Sequence, residues 1–258
     1  MRISRKATFI IAEVVTTALL ITAAWIYLDG DRGYAWTSVP KMLEAFREAW
    51  IFDRFMSDIV PSLIRLIAGY TVAVIIGVSL GVLFGISRTA RLMSQPIVSL
   101  LRSTPAVALI PLSIVLFGVE TGQKVAIIAF VCCWPIVLNT ADGIASLDRT
   151  MLLSARTYGV TGVQLVREVI LPGISPRIFA GMRVSLSLAI LLLVTSEMVA
   201  ASSGIGFFVW QAQVKFSIPD MWAGIILLGL LGYGFNALFT VIERRVCRWD
   251  FERKGIRT

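Results

Sequence analysis

The chain has 258 residues, of which 57% are hydrophobic and only 16% charged, with a mean hydropathy of +0.83. A soluble domain carries about 25% charged residues, so this composition excludes a water-exposed globule and indicates an all-α integral membrane protein. The net charge of +8 needs no nucleic acid to explain it, because Lys and Arg retained on cytoplasmic loops make multi-pass proteins basic. The absence of histidine removes the commonest metal ligand and general base. The three cysteines, Cys132, Cys133 and Cys247, have neither metal-site spacing nor a disulfide framework.

Taken in chain order, six segments are apolar enough for the roughly 20 residues a bilayer crossing needs. They are Phe9–Leu28, about Ile59–Ile86, about Pro96–Phe117, about Val125–Asn139 (with Ala141 to Ala145 as a possible extension), about Ile178–Ala200 and about Met221–Ile242. Met1–Lys6 and the run after it also resemble a signal peptide. That run exceeds an h-region of about 7–15 residues and Glu13 interrupts it, which favours an uncleaved span. Between spans one and two, residues 38–57 read as an outer amphipathic helix, with Pro40 in its first turn and Met42, Leu43, Phe46, Ala49 and Trp50 at helical spacing. With both termini inside, cytoplasmic segments hold fifteen Lys and Arg and outer segments six, among them Lys124. This asymmetry predicts an N-in, C-in topology.

Gly77, Gly81 and Gly85 in span two are four apart, so they share a helix face on which another backbone can approach closely. Packing within the subunit and a dimer contact both fit. Pro105 and Pro111 in span three and Pro135 in span four each leave a carbonyl without its helical donor. Arg65 and Arg183 fall near predicted span ends, from which they can snorkel to water. Arg102, in LRSTP, lies about a turn inside its span and faces either the cytoplasm or an internal cavity, where it is a candidate for the transport path. Glu197 lies late in span five. An ionised group at mid-bilayer costs about 2.5–3.5 kcal/mol even on the lenient insertion scale, so Glu197 either pairs with another group or serves a path or gate.

Leu147–Pro172, LDRTMLLSARTYGVTGVQLVREVILP, is too polar for lipid. Asp148 is placed to cap a helix from Arg149 to about Tyr158 that ends at Gly159 with a left-handed C-cap. Thr161 and Gln164 fit a capping box for a second helix, Gly162 to Ile170, closed by Pro172. The expectation is a rigid helix–turn–helix at residues 147–172, in the cytoplasm.

In this insert Leu153, Ser154 and Ala155, then Gly159, then Val169, Leu171 and Pro172 keep the spacing of the coupling loop of bacterial ABC importer permeases (EAA, three residues, Gly, nine residues, Ile-x-Leu-Pro). The acidic first position of that motif is Leu153 here, and its second is Ser154. LRSTPAVALIPLSIVLFGV (Leu101–Val119), SEMVAASSGIGFFVWQA (Ser196–Ala212) and IERRVCRW (Ile242–Trp249) extend the similarity to a core of about residues 38–249. Together they resemble the branch that imports taurine, aliphatic sulfonates, nitrate and related anions.

The resemblance implies one permease domain, 1–258, with the type I importer (MetI-like) fold, in a bacterial inner membrane. Two copies would form the path, and Leu153–Arg156, Gly159, Val169, Leu171 and Pro172 would couple it to separate ATPase subunits holding ATP and Mg. An extracytoplasmic binding protein would deliver the solute. Ser203–Ala212, with Gly204 and Gly206, would form a short outer re-entrant or surface helix near the gate. The chain itself has no GxxxxGK[ST] phosphate loop. The alternative is an ion-gradient-driven carrier, which would favour repeated halves and midplane acidic residues. A membrane enzyme would need a catalytic constellation that this sequence lacks.

Overall fold

A computed structural model describes Thr16 and residues 37–248, so the expected first span, 9–28, lies outside the described residues. These residues form two compact units, one comprising 37–55 and 208–227, the other 56–207 and 228–248.

In the first unit, Pro40 occupies the opening turn of helix α1 (Val39–Arg47), where its missing N–H is no loss. The chain continues as a π-helical turn over Glu48–Asp53. Met42, Ala45 and Trp50 are buried, while Leu43 stays exposed. The Trp50 indole donates to the Ala223 carbonyl at 3.1 Å and meets Phe208 edge-on, with centroids 4.6 Å apart.

The second unit is built on α2 (Val60–Ile86), α5 (Thr121–Ala145) and α8 (Leu171–Val199). A side-chain stripe of Gly69, Ala73, Gly77, Gly81 and Gly85 on α2 recurs every fourth residue. A Cβ at Gly69 would stand 2.9 Å from Ile128, one at Gly77 2.8 Å from Ile136, and one at Gly81 2.5 Å from Thr140. The pairs ascend together, so α2 and α5 run parallel and the stripe is consumed inside one chain.

Helix α8 runs antiparallel to α5. Gly181 lies against the Pro135 carbonyl, Gly143 against Ile174, and Ser185 donates to the Cys132 carbonyl at 2.6 Å. Leu66, Ala73, Ile128, Cys132, Ala189 and Leu192 fill the shared core. The helical ladders internalise the backbone polar groups, as lipid requires. Outward residues such as Ile64, Ile75, Leu83 and Leu191 remain more than half exposed, a surface that hydrocarbon covers.

Two parallel helices need a crossover. It is made by α3 (Arg88–Ser103), a 3₁₀ turn (Ala106–Ala108) and α4 (Leu109–Phe117). The expected single span Pro96–Phe117 is therefore wrong in shape: its helix begins at Arg88 and bends by 83° before Ala106. Thr104 precedes Pro105 and takes extended backbone, ψ 124°, as proline's ring demands of the residue before it. Pro111 falls in the first turn of α4 and Pro135 inside an unbroken α5. After α5 come α6 (Arg149–Thr157), α7 (Gly162–Leu165), α9 (Ile205–Val214) and α10 (Ile218–Val246). Among the described residues four helical stretches are long and apolar enough to cross a membrane, and the bent pair makes a fifth if it is one span.

Candidate functional site

Two constellations stand at opposite ends of the α2–α5–α8 bundle. The first gathers where α2 and α5 begin and α8 ends. Asp58, Ser62 and Arg65 share one face at helical spacing. Glu197, fully buried, receives Arg65 Nη1 at 2.8 Å, the Ser62 hydroxyl shared between its oxygens at 2.8 and 2.9 Å, and the Gly206 N–H at 3.0 Å. Arg65 also donates to the Ser203 carbonyl at 2.8 Å and to Thr121 Oγ1 at 3.3 Å. Asp58 accepts the Gly204 N–H at 2.8 Å. Lys124, 1% exposed, donates to the carbonyls of Val119 at 2.9 Å and Ala200 at 2.7 Å.

Two cations and two anions thus fasten the α8–α9 loop to α2 and α5. Gly204 has φ +127°, and a Cβ there would stand 2.5 Å from Glu197 Oε1; only glycine lets the loop approach the carboxylate this closely. The sequence singled out Glu197, Gly204 and Gly206, and the fold brings them together. It missed Asp58, Ser62 and Ser203. It placed Arg65 as a snorkelling end residue and Lys124 in an outer loop, and both are corrected: each lies in the buried cluster, held there by partners that sequence distance hid. Arg183 instead pairs with Glu243 of α10.

Arg102 is not part of this cluster. It lies on α3, with Pro105 just beyond at the bend. Arg102 lines a separate cleft of about 340 Å³ between α3 and α5, with Arg91 and Asp142. Asp142 falls within the α5 helix, which continues past Asn139 through the extension expected at Ala141 to Ala145.

The second constellation is the hairpin at the far end, where α5 ends. Asp148 accepts the Thr150 N–H at 2.8 Å and caps α6. Gly159, φ +79°, ends the helix while Val160 N–H reaches back to the Ala155 carbonyl at 3.0 Å. Leu153, Ser154, Arg156 and Gly159 are exposed, whereas Ala155, Val169 and Leu171 pack against the Ile144–Leu165–Ile170–Ile174 cluster.

Two details of the sequence reading are corrected. Thr161 makes no side-chain cap, and Gln164 donates to Glu168 one turn on, at 3.1 Å, so the expected capping box does not form. Pro172 does not close the second helix: it sits in the first turn of α8, and residues 162–199 run as one 38-residue helix. The π turn at Val166–Ile170 immediately precedes the proline, and such a wide turn shifts the hydrogen-bond ladder where the missing donor falls.

Residues 73–248 match the family of binding-protein-dependent transport system inner membrane components. The chain belongs to that family. It is a permease subunit of an ABC importer and a multi-pass inner-membrane protein. The permease is similar to the nitrate import permease protein NrtB of Leptolyngbya laminosa, with 34% identity over 80% of this chain and 78% of the relative. It is also similar to SsuC of Bacillus subtilis, named for aliphatic sulfonates transport, with 29% identity over 92% and 87%. Its fold matches solved inward-facing structures of the MetNI methionine ABC transporter, with a TM-score of 0.62, 22% identity, and 81% of this chain and 99% of the other covered.

Proposed function

We propose that the permease forms the translocation path of an ATP-driven importer for a small anion, with a sulfonate, taurine or nitrate as the solute class. The names of the relatives support the class. The path is lined by two copies of this chain, each with six spans and both termini in the cytoplasm. A binding protein delivers solute from outside, and ATP with Mg is held by partner ATPase subunits.

One observation carries the coupling role. The hairpin is capped, presents Leu153, Tyr158 and Val163 at 59%, 87% and 73% exposure, and continues without a break into a 38-residue helix. Apolar side chains held out on a rigid turn fit a groove of a soluble partner, and the continuous helix carries movement of the turn into the bundle. The Arg65–Glu197 cluster at the other end is then a latch on the outer side of the path.

Gly159→Val tests the coupling. A β-branched residue is strained at φ +79°, yet nothing lies within 4 Å of the added carbon. The variant is expected to insert at normal abundance but lose solute uptake while ATP hydrolysis persists. Uptake at the wild-type rate would refute docking through this turn.

A further inference from the structure

The cleft between α3 and α5 has a mixed lining in which charged and polar side chains stand beside apolar ones. Arg91, Ser94, Gln95, Ser99 and Arg102 recur at helical spacing on the face of α3 that lines it, Asp142 of α5 adds a carboxylate, and the rest of the lining, with Phe84, Val98 and Val137 among it, is apolar. The other face of α3 carries Leu92, Met93, Ile97 and Leu100, exposed by 58–73%. Helix α3 is thus amphipathic, with its apolar side outward and its polar side along the cleft, where Gln95, Ser99 and Arg102 remain exposed. That is the arrangement of a helix with lipid on one side and water on the other.

The charges in the cleft are unequal. Arg91 donates to the Ala141 carbonyl at 3.0 Å and pairs with Asp142 at 3.4 Å, so its charge is largely answered. Arg102 makes no hydrogen bond or ion pair among the described residues. Its guanidinium is left as the unbalanced charge of a cavity of about 340 Å³, within the size range of small-ligand sites. The cleft reaches Ala141 and Asp142, near the end of α5 that leads into the hairpin.

We propose that this cleft is a water-filled site on the solute path that accepts small singly charged anions and rejects cations, with Arg102 as the selecting charge. The proposal rests on the reading of the chain as a path-forming permease and assigns selectivity to the permease itself. Gln95 and Ser99 supply neutral hydrogen-bond donors, which hold an oxoanion loosely enough to release it. An anionic lipid headgroup has the same chemistry and is the competing occupant.

The test uses thiol accessibility in the full-length permease, purified with its bound partners into phosphatidylcholine nanodiscs. Ser99→Cys is labelled with a sulfonate-bearing and a trimethylammonium-bearing methanethiosulfonate, and the ratio of rates is compared with that of free cysteine. Native Cys132, Cys133 and Cys247 are buried, and the unsubstituted protein gives the background. The site predicts a ratio shifted about fivefold toward the anionic reagent. The shift should vanish with Arg102→Gln and persist with Arg102→Lys, while Leu100→Cys on the lipid face reacts with neither reagent. A ratio indifferent to Arg102→Gln, or no reaction at Ser99→Cys, would overturn the proposal. Slowing of both reagents in phosphatidylglycerol nanodiscs would assign the cleft to a headgroup and overturn it equally. The readout needs neither ATP nor a binding protein, so it stands or falls separately from the importer reading, which co-purification of an ATPase tests.

Discussion

Glu197 and Arg65 lie 132 residues apart in the chain and share a buried ion pair whose remaining valences are filled by Ser62, Ser203, Thr121 and the Gly206 N–H. Breaking one side of such a pair leaves an uncompensated buried charge, which costs about 3–5 kcal/mol, whereas replacing both partners by apolar residues of similar volume is often nearly neutral. Arg65→Met and Glu197→Leu are each expected to lower thermal stability in detergent sharply, and the double variant to recover most of the loss. If the pair is a latch, the recovered double variant still transports poorly. Single variants as stable as wild type would contradict the buried pairing.

The sequence showed Glu197, Gly204 and Gly206 as separate oddities. Nothing local tied Glu197 to Arg65, because a contact between two helices far apart in sequence leaves no periodic trace. Lys124 was hidden for a different reason: a lysine at a helix start is ordinarily solvated, and only the α8–α9 loop folding over it turns its ammonium toward the Ala200 carbonyl.

Among the elements, periodicity located α2, α5, α8 and α10 to within several residues, since long apolar runs carry a strong signal. Two failures came from proline. At Pro105 the expected kink or freed carbonyl within one span is instead a break into two helices at 83°, because the constraint falls on Thr104 and propagates through the crossover. At Pro172 the expected break is a continuous helix, because the π turn before it absorbs the missing donor.

The glycine stripe was visible, although its partner helix was not. With α5 identified, Gly81→Leu is expected to force α2 away from Thr140, destabilising the fold by about 1–3 kcal/mol or more as overpacking does. A matched change at the outward Leu83, 53% exposed, should be nearly silent in thermal unfolding. Equal effects at the two positions would place the stripe outside the subunit core.

For the whole molecule, composition alone established membrane residence, and the spacing from Ala155 through Gly159 to Pro172 pointed to the family. The division of labour between the two ends emerged only with the fold. A charge-balanced cluster fastens one end of the bundle, an exposed capped hairpin stands at the other, and a cleft holding Arg91 and Arg102 lies between α3 and α5.

The coupling proposed for the hairpin calls for a soluble partner that converts ATP hydrolysis into its movement. The most direct measurement is isolation of the tagged chain from its native membranes in mild detergent, with a photo-crosslinker at Tyr158, followed by mass spectrometry. The account predicts a co-purifying ATPase with a phosphate loop, crosslinked through position 158. A chain that came down alone and monomeric, and drove uptake in the absence of ATP, would contradict it.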